Sequence, residues 1–165
     1  MYICGIEIEN FRNFAHLELD LHENTVIVGE NKIGKSNFIY ALRLVLDPKL
    51  SESDRQLRLD DFFDGAKPLS KDTFIRISVD IIDFDKDESL LAILAEHLIQ
   101  PEPMVSRLTY LYRPKPGLKE HPKNENDYEF LVYGGDRPEN IVGYEVRKWI
   151  PLSLLPALRN AEEDL

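Results

Sequence analysis

The sequence of 165 residues has a single cysteine and no long apolar run. Because Cys4 stands alone, no disulfide can form within the chain, and a reducing compartment is expected. No stretch approaches the roughly 18 to 20 apolar residues that a membrane-spanning helix requires. The first residues, MYICGIEIENFRNF, lack the basic and apolar regions of a secretory signal. The sequence therefore predicts a cytoplasmic protein with no membrane partner.

Positive charge is also scarce, since 20 Lys and Arg stand against 30 Asp and Glu, for a formal net charge of −10. Binding to a nucleic-acid backbone needs clustered Lys and Arg. The longest basic run, residues 113–123, is broken by three prolines and a glutamate, which favours a solvated loop. We therefore expect any DNA that the intact protein acts on to be bound through other regions.

The spacing of apolar residues predicts strands around one amphipathic helix. Residues 3–9 and 17–21 alternate apolar and polar side chains, which is typical of a hairpin with one wet face. Residues 25–28, TVIV, read as a strand covered on both faces of a sheet. Residues 36–46 carry apolar side chains at helical spacing, and the helix should end at Asp47-Pro48.

With the rest of the sequence included, the pattern predicts an α/β protein with strands of mixed direction. A short helix is expected within 51–57, and a longer one over 87–100, capped by Asp87 and ended by two prolines. A last helix is expected over 153–165. The predicted strands are 74–82, 107–113, 128–133 and 140–146.

The chemistry of the chain centres on residues 29–38, GENKIGKSNF, which fit the pattern of glycine, four residues, glycine, lysine, then serine or threonine. Gly29 and Gly34 let the backbone turn tightly and bring its N–H groups to phosphate oxygens. The helix that follows adds the positive end of its dipole. Lys35 is the catalytic candidate that reaches the β- and γ-phosphates of ATP, and the Ser36 hydroxyl is placed to bind Mg²⁺.

The other loop residues complete the predicted cofactor-binding set. Glu30, Asn31, Lys32 and Ile33 would contribute mainly backbone contacts, and Asn37 also belongs to the set. The strand before the loop and the helix after it favour nucleotide binding over a glycine turn that matches by coincidence. A small kinase or GTPase is a weaker alternative, because NKIG at 31–34 lies inside the loop and cannot read a base.

The parts needed for hydrolysis are not evident in the sequence. A second apolar strand ending in a Mg²⁺-binding carboxylate is expected of an ATPase. Within residues 78–88, Asp83 or Asp85 is the superficial candidate, but the acidic cluster is better explained as the cap of the next helix. A serine-glycine-glycine signature is also missing.

Several stretches together resemble known ATPases. IEIENFRNF (residues 6–14) and VGENKIGKSN (28–37) are similar to the start of ABC-type heads of the RecF and chromosome-maintenance kind. Residues 38–65, which contain ALRLVLD and LRLDDF, resemble the overcoming-lysogenization-defect (OLD) family of ATP-dependent endonucleases more specifically. Residues 107–117 and 150–165 add to this resemblance, which runs in pieces over almost the whole chain.

The resemblance implies a P-loop NTPase fold: residues 1–165 would be the N-terminal lobe of an ABC-type ATPase head, with a mixed, strand-rich sheet and an incomplete core. In OLD-family relatives a second ATPase half and a Toprim nuclease domain follow, and the resemblance implies that residues 1–165 contain neither. ABC-type heads hydrolyse ATP at a dimer interface, which implies a homodimer of heads in the full-length protein. The alternative is a nucleotide-binding or partner-binding head with no catalytic activity of its own.

The resemblance has different implications for three further residues. Arg12 matches an arginine that approaches the nucleotide phosphates in chromosome-maintenance heads, with a surface arginine in a turn as the equal alternative. Arg159 matches a stretch in relatives, but Asn160 replaces the expected acidic residue, so no catalytic role is assigned to it. Lys32 departs from the small or amide residue usual at its position, and we expect it to point to solvent.

Overall fold

A computed structural model describes residues 1–28, 34–150 and 152–153 of the chain. Its centre is a six-stranded sheet with the order β2-β1-β3-β5-β4, in which β6 also pairs with β5. Every strand pair in the described residues is antiparallel. The strands are β1 (Tyr2–Phe11), β2 (Phe14–Asp20), β3 (Ile75–Ile82), β4 (Leu98–Pro101), β5 (Met104–Pro114) and β6 (Tyr128–Gly134).

The helices are few and mostly short. They are α1 (Lys35–Leu46), α2 (Glu52–Arg55), α3 (Glu88–Leu94) and α4 (Tyr144–Trp149). Single 3₁₀ turns lie at Leu59–Asp61, Asp64–Ala66, Ala95–His97 and Glu125–Asp127. None of the helices described is long and apolar enough to cross a bilayer.

The predicted hairpin, the predicted strand 74–82 and the predicted helix after the loop are all confirmed. In the hairpin Ile6 lies opposite Leu19 and Ile8 opposite Leu17, as alternation requires. The residues of β3 that alternation assigns to the core are completely buried: Ile75, Ile77, Val79 and Ile81. Helix α1 ends at Leu46, one residue before the Asp47 cap.

The core lies between one face of this sheet and helix α1. Inward side chains of β1, β3 and β5 pack against the apolar side of α1, whose buried residues are Phe38, Ala41, Leu42, Leu44, Val45 and Leu46. Each fully buried aliphatic or aromatic side chain contributes about 1.5–3 kcal/mol to folding. This packing fixes where both ends of α1 lie relative to the sheet.

The strand predicted at residues 25–28 is wrong. The backbone there has no strand pairing, and Val26 and Val28 are 83% and 86% exposed. The physical reason is the turn before it: the hydroxyl of Thr25 accepts a hydrogen bond from the His22 N–H and donates to the His22 carbonyl, each at 2.9 Å. The chain thereby leaves the sheet after β2, and no described strand lies alongside residues 25–28.

The helix predicted over 87–100 is correct only in its first half. Asp87 caps it as expected, since its carboxylate accepts hydrogen bonds from the N–H groups of Ser89 and Leu90. Helix α3 ends at Leu94, and the chain then enters β4. Residues 98–101 pair with β5 across a tight turn, which gives their backbone groups hydrogen-bond partners. This pairing favours a strand although the apolar residues there have helical spacing.

The strand predicted at 140–146 is also wrong. Only Ile141 pairs, in an isolated bridge with Tyr133, and Gly143 is the N-cap of helix α4. Glu145 in the first turn and basic residues in the last turn complement the helix dipole, which favours helix over strand here. The helix predicted over 153–165, with Arg159 and Asn160, lies outside the described residues.

A fully buried arginine ties the C-terminal end of α1 to α2. Arg55 is 0% exposed, and its guanidinium donates to the carbonyls of Leu44 (3.2 Å), Leu50 (2.9 Å) and Asp47. A cation at this position complements the negative end of the helix dipole. One side chain therefore supplies donors to a carbonyl in the last turn of α1, to its cap residue and to the loop that follows.

We predict that Arg55→Met lowers the free energy of unfolding by about 3 kcal/mol, because the carbonyls of Leu44, Asp47 and Leu50 lose their donor. Chemical denaturation measures the change. Arg137→Met is the matched control, since Arg137 is exposed, and it should change stability by less than about 0.5 kcal/mol. A cost for Arg55→Met as small as that of the control would contradict the prediction.

Candidate functional site

The candidate site is built around the first turn of helix α1. Gly34 is the N-cap with φ of +104°, a left-handed conformation that favours glycine, and Lys35 is the first helical residue. A Cβ at Gly34 would collide with the side-chain amide of Asn13. The first turn holds no acidic residue, so no carboxylate of its own offsets the positive end of the helix dipole.

Half of the sequence-predicted site can be placed. Gly34, Lys35, Ser36 and Asn37 lie at the start of α1, where Ser36 is exposed and Lys35 and Asn37 are half-buried. The rest of the predicted loop lies outside the described residues: Gly29, Glu30, Asn31, Lys32 and Ile33. The roles of all these residues stay predictions.

Arg12 lies beside this helix turn. It directly follows β1, in the connection to β2, with φ of +50°, a left-handed conformation uncommon outside glycine. Its Nη1 donates to Oδ1 of Asn37 at 2.9 Å, and its Nε donates to Oδ1 of Asp61 at 2.9 Å. The guanidinium also lies over the ring of Tyr40, 4.6 Å from the centroid. The structure thus brings Arg12 and Asn37 together, although 25 residues separate them in sequence.

A second contact holds the hairpin turn against the helix. The side-chain amide of Asn37 donates to Oδ1 of Asn13 at 2.7 Å. Asn37 therefore accepts from Arg12 and donates to Asn13, and both residues belong to the turn between β1 and β2. This turn and the first turn of α1 form one hydrogen-bonded unit.

The sequence alone did not identify Asp61 and Tyr40 as neighbours of the site. Tyr40 stacks on Phe11 with ring centroids 6.3 Å apart and lies beneath Arg12. Burial raises the pKa of the Tyr40 hydroxyl, so the ring is neutral at physiological pH. Asp61 lies in the LRLDDF stretch, which contributed to the resemblance to the OLD family, but no role was predicted for it.

A polar cleft of about 590 Å³ opens next to Arg12. Among the residues that line it are three arginines and two aspartates: Arg12, Arg43, Arg58, Asp54 and Asp61. Arg12 therefore borders a cleft whose lining is mostly polar. When all five groups are ionised, they carry a net charge of +1.

The acidic residues considered for Mg²⁺ lie elsewhere. Asp83 follows β3 at the end where Ile82 pairs with Tyr2, whereas Arg12 follows the other end of β1, about 30 Å away along ten residues of strand. A hydrogen bond from Lys86 lowers the pKa of the Asp83 carboxyl. No group of three or more His, Cys, Asp or Glu side chains in the described ranges is arranged to hold a metal ion. The interpretation of this cluster as a helix cap is confirmed by Asp87.

Comparison with known proteins decides the family. The AAA ATPase domain family matches residues 1–153, almost the whole chain. The chain belongs to this family. It is an ATPase domain of the AAA/ABC type with the strand-rich P-loop NTPase fold that the sequence predicted.

Three relatives show what the domain is similar to. It is 36% identical over 88 residues to the endonuclease GajA of Bacillus cereus, which covers 53% of this chain and 14% of that protein. It is 35% identical over 71 residues to the DNA replication and repair protein RecF of Bacillus mycoides, which covers 41% of this chain and 19% of that protein. It is also 35% identical over 85 residues to the chromosome partition protein Smc of Chlorobaculum tepidum, which covers 49% of this chain and 7% of that protein. The matched stretches thus amount to less than a fifth of each relative.

A solved structure of an SMC ATPase, from work on ATP-driven dimerization and DNA-stimulated activation, superposes with a TM-score of 0.48. The superposition is 19% identical in sequence and covers 90% of this chain and 76% of the other.

We predict that Gly34→Ala destabilises the domain more than Gly117→Ala does, by at least about 1 kcal/mol. Both glycines have left-handed φ, so both substitutions carry a strain of about 1–2 kcal/mol. Only at Gly34 does the new Cβ meet another group, the amide of Asn13, while Gly117 has open space around it. Equal free energies of unfolding for the two variants would contradict the close approach of Asn13.

Proposed function

We propose that this domain binds ATP and Mg²⁺ at residues 29–37 as the ATPase domain of an OLD-family ATP-dependent endonuclease that acts in DNA processing or phage defence. The observation that carries the proposal is the meeting of Arg12 with the first turn of α1, which opens on a left-handed glycine. A helix N-terminus with a cation fixed beside it is suited to a polyphosphate.

The proposed roles follow from the position of each residue. The backbone of residues 29–34 cradles the phosphates, and Lys35 is the catalytic residue that contacts the β- and γ-phosphates. Ser36, exposed at the helix start, supplies its hydroxyl to Mg²⁺. Arg12 contributes a second cation to the phosphates from the hairpin side.

The endonuclease part of the proposal rests on the relatives. GajA is an endonuclease, and the OLD-like stretch at residues 38–65 is ordered around the candidate site, through α1, α2 and the turn that holds Asp61. We propose that cutting of DNA belongs to a Toprim nuclease domain of the full-length protein. Hydrolysis would take place between two ATPase heads of a homodimer, with DNA bound through regions other than this acidic domain.

We predict that Lys35→Ala abolishes binding of a labelled, non-hydrolysable ATP analogue to the full-length protein that carries this domain. The ammonium group is the point charge that the proposal places on the phosphates. Lys49→Ala is the control, because Lys49 is an exposed lysine beyond the other end of α1. Undiminished binding by the Lys35 variant at equal folded fraction would overturn the proposal.

We also predict that Ser36→Ala removes most of the Mg²⁺ dependence of analogue binding. The wild-type protein should bind the analogue more tightly with Mg²⁺ than with EDTA, whereas the variant should show nearly the same affinity in both. Isothermal titration in the two buffers measures the difference. A variant that keeps the full Mg²⁺ effect would show that the metal is bound by other groups.

A further inference from the structure

Two segments far apart in sequence form a small clasp at the end of β1, which we define as residues 10–12 with residues 61–63. The Arg12 N–H donates to the Asp61 carbonyl at 2.7 Å, and the Phe63 N–H donates to the Asn10 carbonyl at 2.9 Å. Between these bonds Phe11 and Phe62 form a β-bridge, and both are buried to within 1%. The LRLDDF stretch is thus joined to the NFRNF turn by backbone and by core packing.

Both oxygens of the Asp61 carboxylate accept hydrogen bonds. Oδ2 accepts the Arg58 N–H at 2.9 Å, and Oδ1 accepts Nε of Arg12 at 2.9 Å. The first of these bonds closes the 3₁₀ turn at residues 59–61 and does not involve Arg12. The side chain of Asp61 is only 16% exposed. Its orientation is therefore set by its own turn, before Arg12 is considered.

The Arg12 guanidinium is consequently constrained on three sides. Asp61 binds its Nε edge, Asn37 binds Nη1, and the rings of Tyr40 and Phe11 lie 4.6 and 5.1 Å from its central carbon. These two hydrogen bonds use two of the five N–H donors of the group. A long side chain that is held in this way has already lost the rotamer freedom that binding of a phosphate would otherwise remove.

We propose that Asp61 is the positioning residue of Arg12: it fixes the guanidinium against the first turn of α1 so that the remaining donors meet the nucleotide phosphates. This inference rests on the proposed function, because it assumes that ATP binds at this turn. It assigns a task to the LRLDDF stretch. Asp61 itself does not touch the nucleotide.

Geometry and net charge make opposite predictions about Asp61. If charge alone mattered, removal of a carboxylate near the phosphates would tighten ATP binding, because Arg12 would lose its counter-ion. If positioning matters, removal frees the guanidinium to rotate and ATP binding weakens. The sign of the change therefore distinguishes the two explanations.

The test measures affinity of the full-length protein for a labelled, non-hydrolysable ATP analogue with Mg²⁺. Asp61→Ala should weaken binding about tenfold, within the range measured for coupled neighbouring residues. Asp60→Ala is the matched control, because Asp60 is the preceding residue, carries the same charge and has an exposed side chain. ATP-analogue binding by this variant should stay at the wild-type level. Unchanged or tighter binding by the Asp61 variant would overturn the inference.

A double-mutant cycle separates positioning from a general structural role. Asp61→Ala in an Arg12→Ala background should cause no further loss of affinity, because the residue acts through Arg12. An additional tenfold loss there would show that Asp61 supports the site by another route and would contradict the proposal. Where thermal unfolding shows that the alanine variant does not fold, Asp61→Asn replaces it in the cycle: its single amide oxygen can still accept the Arg58 N–H that closes the turn, but the second, charged acceptor that holds Arg12 is lost.

The same measurements keep this inference distinct from the proposed function. Undiminished analogue binding by Lys35→Ala would mean that the phosphates are not bound at this loop, and the proposed function would fail. Loss of binding by Lys35→Ala with no effect of Asp61→Ala would leave ATP binding in place and overturn only the role of Asp61.

Discussion

Packing of helix α1 on the inner face of the antiparallel sheet is the constraint on which the other features of this domain depend. The buried side chains of β3 and the apolar side of α1 close one core, and the helix cannot shift along the sheet without opening cavities. Its first turn must therefore lie next to the end of β1. The hairpin turn after β1, the glycine cap of α1 and the clasp with residues 61–63 all meet at that place.

Two arginines serve the two ends of this helix in different ways. At the C-terminal end the buried Arg55 satisfies carbonyls and complements the helix dipole, so its position favours stability. At the N-terminal end Arg12 adds a positive charge to a positive dipole end, which favours neither the helix nor the arginine. Asp61 offsets part of that repulsion. Conformations that are unfavourable for folding are common where a ligand is bound, and the left-handed backbone of Arg12 belongs to the same pattern.

The domain also explains why its family resemblance is spread over separate pieces of sequence. The phosphate-loop pattern and the NFRNF turn are 15 or more residues apart, and LRLDDF follows after a further helix, yet Asn37, Arg12 and Asp61 are joined by direct hydrogen bonds. The stretches that match GajA, RecF and Smc form a small part of each of those proteins.

Elements with a strong and local pattern could be predicted from the amino-acid sequence alone. Alternation specified the hairpin and β3, helical spacing with a proline stop specified α1, and the short polar side chain of Asp87 specified a helix cap. The glycine-lysine-serine pattern indicated where a phosphate would bind, although most of that loop lies outside the described residues.

The other features depend on contacts between segments that are distant in sequence, and no local pattern contains those contacts. Residues 25–28 have the composition of a buried strand, but no described strand runs beside them, and they stay exposed. Residues 98–101 have helical spacing, but β5 offers them backbone partners. Asp61 carries no signal of its role in its own segment, because that role arises from contact with Arg12, 49 residues earlier in the chain.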